Sequence, residues 1–282
     1  MAIGGVITAA VTPFDANGKV DEDAFVRLLG HLSETGSDGV VVAGTTGESA
    51  TLTDDEKISL FELAAGEGGD LFVIAGTGSN DTAHSVHLTE RANDTGVDAI
   101  LAVTPYYNKP PLRGVKAHYE AIARVTDKPI VLYNIPSRVV IDLPNDFLRE
   151  LAEIPGIEAV KQARLTDIAA VEGLALLAGN DDKMAEVLDA GGTGGILTAS
   201  HFVGHEFRRM MDEPENRWAI HEQLTPLLDA LGVTQLTMTI KAGLKMLGHD
   251  VGGVRLPLVE CDEHELEIVR GALERQGLLS PV

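Results

Sequence analysis

Short, almost wholly apolar runs recur along the chain, separated by longer segments whose apolar positions repeat at helical spacing. Eight runs stand out, at residues 6–12, 39–44, 72–76, 99–104, 130–134, 157–161, 174–178 and 195–198. Most are apolar throughout rather than alternating, as expected of parallel strands covered on both faces. Helix starts lie between them. Asp21 precedes an acidic turn, Thr53 and Glu56 form a capping box, Asn80 or Asp81 opens a third helix, and Leu143-Pro144-Asn145-Asp146 opens another.

Eight strand–helix units within residues 1–217 predict an α/β fold of the (β/α)8 TIM-barrel type, which would be the catalytic domain. A doubly wound sheet is disfavoured, because no Gly-x-Gly-x-x-Gly turn follows the first run. After residue 217 the strand signal stops. Residues 218–231, 235–247 and 263–278 predict three amphipathic helices. They make residues 218–282 a C-terminal helical region, packed on the barrel or used in assembly.

Composition narrows the function classes. Of 282 residues, 44% are hydrophobic, enough for one large core, and no apolar run is long enough to span a bilayer. The opening residues, Met1-Ala2-Ile3-Gly4-Gly5, lack the basic and apolar regions of a leader, and the single cysteine, Cys261, cannot form an internal disulfide. A cytoplasmic protein is expected. The formal charge of −21 argues against nucleic acid as a partner and predicts that an anionic ligand is held by local groups. It also fits a salt-adapted source.

In a barrel the chemistry sits where the strands end. The run at 157–161 ends in Lys161, and an ammonium at the end of a core strand is costly unless it is paired or neutral. A neutral lysine is a nucleophile that forms a Schiff base with a carbonyl compound. The other ends bring Gly44-Thr45-Thr46-Gly47-Glu48, Gly76-Thr77-Gly78, Thr104-Pro105-Tyr106-Tyr107, Tyr133-Asn134-Ile135-Pro136-Ser137-Arg138 and Gly179-Asn180-Asp181 to the same rim. Thr45 and Thr46 can hold a carboxylate, Tyr133 can pass a proton to Lys161, and Arg138 can grip a second carboxylate. These residues point to carbon–carbon chemistry on a small keto acid through a lysine imine.

Gly44-Thr45-Thr46-Gly47-Glu48-Ser49, Val103-Thr104-Pro105-Tyr106-Tyr107-Asn108, Tyr133-Asn134-Ile135-Pro136-Ser137-Arg138 and Val160-Lys161 resemble the signatures of the dihydrodipicolinate synthase / N-acetylneuraminate lyase family. The resemblance runs from Gly5 to about Gly204 in order and spacing, and Leu256-Pro257 is similar to the family's C-terminal region. It implies a pyruvate-dependent class I aldolase on a TIM barrel, usually a homotetramer. It also implies that no metal and no organic cofactor is needed, since the imine is the electron sink. By motif position Lys161 would form the imine, with Tyr133 and Thr45 as relay members and Tyr107 completing the relay across a subunit interface. Thr46 and the Ile196 backbone would hold pyruvate, with Gly179 beside them. Arg138, which the sialic acid lyases lack, would bind the carboxylate of aspartate 4-semialdehyde.

Two departures bear on the acceptor. Gln162 stands where synthases usually carry an acid, and Val139-Val140 replaces the usual Thr-Gly after the arginine. Alternatives are therefore another pyruvate aldolase acting on a sugar acid or hydroxy-keto acid, or a silent paralogue that binds keto acids. Positions resembling a lysine-inhibition site include Ser49, Ala50, Asn80 and Tyr106. Asp54, Lys57 and His84 replace the His, His and Glu of strongly inhibited members, which predicts weak or absent inhibition. Gly191-Gly192-Thr193-Gly194-Gly195 lies before the last strand, on the wrong face for a phosphate loop. His201 and His205, at i,i+4 spacing, have no third metal ligand in view.

Overall fold

The computed structural model describes residues 3–280, so Met1 and Ala2 of the opening segment lie outside it. Eight parallel strands close into a barrel in sequence order. They are β1 Gly5–Ala9, β2 Gly39–Val42, β3 Phe72–Gly76, β4 Ala99–Val103, β5 Ile130–Asn134, β6 Ile157–Gln162, β7 Ala175–Ala178 and β8 Gly194–Leu197. All eight coincide with the expected runs, and four of them, β1, β2, β4 and β8, end earlier than expected, where the chain leaves the ladder to build the rim.

The helices are α1 Glu22–Glu34, α2 Asp54–Glu67, α3 Thr82–Ala92, α4 Leu112–Ala123, α5 Pro136–Val139, α6 Asn145–Ala152, α7 Met184–Asp189, α8 Ser200–Asp212, α9 Arg217–Leu231, α10 Leu236–Met246 and α11 Glu263–Arg275. The capping signals act as expected. The Asp21 carboxylate accepts from the Ala24 N–H, Thr53 and Glu56 close their reciprocal box, and Asp81, rather than Asn80, caps α3. The last three helices form where the sequence puts them.

The eight units are not uniform, which corrects the expectation of a helix after every strand. No helix follows β6, and β5 is followed by two, α5 and α6. The segment between β6 and β7 is fastened instead by Arg164, which is 6% exposed. Its guanidinium donates to Asp142 Oδ1 at 3.0 Å, Leu143 O at 2.6 Å and Asp167 O at 3.1 Å. A charge buried this deeply is tolerable only when its donors are satisfied.

Two apolar layers result. Ile7, Val41, Ile74, Leu101, Val131, Ala159, Leu177 and Ile196 fill the barrel interior. Val40, Val73, Ile100, Leu132, Val160 and Leu176 face outward against the helices. The β5–β6 ladder has one irregularity. Ile130 pairs with Ile157, but Val131 pairs with Ala159, so Glu158 is skipped.

The glycine run before β8 turns the chain out of α7. Gly191 sits at φ +89°, and Gly192 donates to Val187 O at 2.8 Å, as in a helix-ending turn. His201 and His205 serve the backbone. The His201 ring contacts Thr198 O and accepts from the Val11 N–H, and His205 contacts Glu34 O.

Candidate active site

The slipped register places Tyr133 directly opposite Lys161 and Asn134 opposite Gln162. Lys161 is 6% exposed, and its Nζ lies 4.3 Å from the centroid of the Tyr133 ring. Both side chains line a cleft of about 40 Å³ at the top of the barrel, with Thr45 and Gly44 on the β2 side. A side chain at Gly78 would overlap the Ala102–Val103 backbone, so only glycine lets the chain close the cleft on the β3–β4 side.

The cleft shares Thr45, Ser49, Gly78 and Val103 with a chamber of about 550 Å³ that also takes in Tyr106, Ile135, Arg138 and Val139. A further cavity of about 490 Å³ is lined by Arg138, Gly179, Asn180, Asp181 and Thr198 below the α9–α10 connection. Arg138 therefore borders both large spaces. Its side chain is exposed, and the short helix α5 holds its backbone through the Arg138 N–H to Ile135 O bond of 3.0 Å. The loop that follows is tied to β5 and β6. Asn134 Nδ2 donates to both Asp142 Oδ1 and Gln162 Oε1 at 2.9 Å. Gln162 thus has a defined part as a neutral acceptor.

Burial sets the electrostatics. It lowers the Lys161 pKa from 10.5 to about 8. The Asp181 carboxylate opposes that shift and the Arg138 guanidinium adds to it. Near pH 7.5 roughly a quarter of such an amine is free base, against about one part in a thousand for an ordinary lysine. Burial also pushes the Tyr133 phenol up to about 12, opposed by Arg138 and by the Thr45 hydroxyl. A protonated phenol beside a partly neutral amine is suited to carrying protons rather than to acting as a fixed anion.

Asp181 was not singled out from the sequence as a site residue. Its carboxylate accepts from the N–H groups of Thr198 and Ala199, both at 2.9 Å, at the start of α8. Withdrawal from water raises its pKa, against the pull of those N–H groups and of Lys161. Its position just past β7, beside the lysine strand, was the available signal.

Of the expected site residues, Lys161, Tyr133 and Thr45 meet in one cleft. Thr46 is buried next to Thr45, with its carbonyl accepting from Thr237 Oγ1 at 3.2 Å. Ile196 lies inside the barrel on β8. Gly179 faces the cavity shared with Arg138 and donates to Gln162 O at 2.8 Å. Tyr107 stands apart. It is 86% exposed, at φ +72°, and lines no part of the Lys161 cleft within its own chain.

The chamber also contains Asp54, Lys57 and His84. His84 Nε2 pairs with Asp54 Oδ1 at 2.9 Å. Lys57 is 8% exposed, and burial lowers its pKa against the pull of Asp54.

The family model described as the dihydrodipicolinate synthetase family matches residues 2–276. The chain belongs to this family. A relative from Bacillus velezensis, a 4-hydroxy-tetrahydrodipicolinate synthase, is 42% identical over 278 residues, covering 94% of this chain and 96% of its own. The synthase of that name from Bacillus subtilis is also 42% identical, over 279 residues, with the same coverage. Among solved structures, the family member from Cyanidioschyzon merolae, determined with lysine bound, is 40% identical. It superposes with a TM-score of 0.93 over 98% of this chain and 99% of that one. The barrel and the C-terminal helices are thus shared with family members over essentially their whole length.

Proposed function

We propose that this chain is a 4-hydroxy-tetrahydrodipicolinate synthase, a lyase that condenses pyruvate with L-aspartate 4-semialdehyde in the biosynthesis of diaminopimelate and lysine. Similarity to curated synthases over nearly the whole chain supports the reaction. The observation that carries the mechanism is the buried Lys161 amine beside Tyr133 and Thr45.

In this reading the neutral Lys161 amine adds to the pyruvate ketone, and water leaves to give the imine. Thr46 and the Ile196 backbone hold the pyruvate carboxylate, with Gly179 alongside. A methyl proton is lost, and the resulting enamine attacks the aldehyde carbon of the semialdehyde, whose carboxylate Arg138 grips. The new alkoxide takes a proton through Tyr133 and Thr45. The amino group of the acceptor then attacks the imine carbon, closing the ring and releasing Lys161. The proton removed at the methyl and the one gained by the alkoxide balance. One water leaves during imine formation.

Tyr107 would complete the relay in a neighbouring subunit of a homotetramer. Its exposure on a left-handed rim turn supports an outward role. No helix among the described residues is long and apolar enough to cross a membrane, and the small-molecule chemistry fits a cytoplasmic enzyme.

The test is incubation with pyruvate and borohydride, then peptide mass mapping and an assay with a panel of aldehydes. The expected result is a reduced pyruvate adduct on Lys161 and preference for aspartate semialdehyde. An adduct with preference for a sugar aldehyde would give the reaction to another pyruvate aldolase, in line with Val139 lining the chamber beside Arg138. No adduct on folded protein would leave a silent keto-acid-binding protein.

A further inference from the structure

We propose that the buried Glu48–Lys241 ion pair is a positioning device for the Thr45–Thr46 turn, so that a lysine on α10, outside the barrel, sets the pyruvate pocket. The proposal rests on the pyruvate chemistry above. The two side chains are 1% and 3% exposed, and Lys241 Nζ meets Glu48 Oε1 at 2.7 Å. They are 193 residues apart in sequence.

The turn is fastened almost wholly from outside the cleft. Glu48 follows Thr45-Thr46-Gly47 directly and takes a left-handed backbone at φ +57°, a strained conformation that a non-glycine residue keeps only where its surroundings hold it. Its second oxygen accepts from the Arg255 N–H at 2.8 Å. Lys241 Nζ also donates to Gly253 O at 2.6 Å and lies 4.2 Å from the centroid of Phe14, whose ring the Arg255 guanidinium approaches at 4.3 Å. Thr237, one helical turn before Lys241, donates to Thr46 O at 3.2 Å. Thr12 Oγ1 donates to Gly47 O at 2.7 Å. Consecutive residues 46, 47 and 48 are therefore each held by a distinct side chain, two of them from α10.

Neither Glu48 nor Lys241 lines the Lys161 cleft, so neither can touch pyruvate there. Stability alone is a poor reason for the pair. Removing two charges from water costs about as much as their attraction returns, and an apolar pair of similar volume often serves as well. What a buried ion pair provides and an apolar contact does not is direction. It fixes the carboxylate, and with it the turn, to one geometry. The sub-ångström placement of a relay hydroxyl is what a reacting site requires.

The experiment compares Lys241→Met, Lys241→Arg and Thr237→Val with the unaltered protein. The measurements are kcat, KM for each substrate, the rate of borohydride trapping of pyruvate, circular dichroism and Tm. Thr237→Val removes one hydroxyl with little change in shape, so it reports on the turn even if Lys241→Met fails to fold. The expected result is a fall of about tenfold or more in kcat/KM for pyruvate and in trapping rate for Lys241→Met, partly restored in Lys241→Arg. For Thr237→Val we expect a rise of about threefold or more in pyruvate KM with little change in Tm. KM for the aldehyde stays within about twofold in all three, because Arg138 belongs to another loop.

Equal trapping rates per folded molecule in the folded variants, whatever their Tm, would overturn the proposal. So would a fall in kcat with both KM values unchanged and a matching fall in the total amount of pyruvate trapped, which signals a smaller active fraction. If the unaltered protein itself traps no pyruvate, the pyruvate reading falls and takes the proposal with it. Normal trapping in the unaltered protein and the variants alike removes the proposal alone.

Discussion

Lys161 Nζ lies 4.3 Å from the centroid of the Tyr133 ring, and the two residues are direct partners across adjacent parallel strands. A rigid ladder therefore sets their spacing, rather than a loop. The aromatic face tempers the cost of a buried ammonium, while the phenol remains in reach of the cleft in which the amine acts.

Tyr133→Phe preserves the ring and removes the proton carrier. Turnover is expected to fall about 10²- to 10⁴-fold, the usual size of a general acid–base contribution. The pyruvate adduct should still form, more slowly. Stopped-time borohydride trapping checks this, and an unchanged turnover number would remove Tyr133 from the relay.

The pH dependence follows from Lys161. With its pKa lowered to about 8, imine formation should rise with pH and level off just above 8, instead of climbing towards 10.5. Since the Arg138 cation contributes to that lowering, Arg138→Ala should move the rising limb to higher pH. It should also cost about 10- to 100-fold in kcat/KM for the aldehyde, the worth of a charge-assisted bond, while leaving pyruvate trapping at saturating pH intact. A pH series of trapping rates and acceptor kinetics separates the two effects.

The same lysine weakens the fold at neutral pH. A folded-state pKa below the unfolded 10.5 means that the unfolded chain binds more protons between pH 8 and 10.5. Stability should therefore rise with pH across that window and be lost as pH falls through 8. Lys161→Met removes the burden, so this inactive variant should be more stable at pH 7 by about 1–3 kcal/mol, less whatever Asp181 loses as its partner. Urea titrations of both proteins at pH 7 test this, and a less stable Lys161→Met would refute it.

Free lysine should inhibit weakly or not at all. In the chamber Asp54 is engaged by His84, and Lys57 is a buried cation that repels a second ammonium. Half-inhibition should need more than about a millimolar, well below the affinity a dedicated site reaches. A lysine titration settles it, and Lys57→His combined with His84→Glu should increase sensitivity.

Strand order and rim chemistry were legible because each depends on local pattern. Apolar runs mark parallel strands, and the residues that end them share one face of the barrel. Lys161, Tyr133 and Thr45 could be brought together on that logic alone. Three features escaped it. Asp181 was visible as a strand-end residue, but its influence on Lys161 depends on how far it is desolvated. The missing helix after β6 follows from the tertiary contacts of Arg164, which override the local pattern. Glu48 looked like part of the turn motif, and nothing across a sequence separation of 193 announces Lys241 as its partner.

Glu158, the residue passed over in the β5–β6 ladder, decides which side of the barrel wall the chemistry is on. Paired without that skip, β6 would turn Glu158 and Val160 towards the lumen and Lys161 outward, its amine lost among the helices on the side of Leu132. The strand would keep every residue, and the cleft would be left holding a valine. In this molecule one unpaired position acts as a punctuation mark, and the meaning of the strand depends on where it falls.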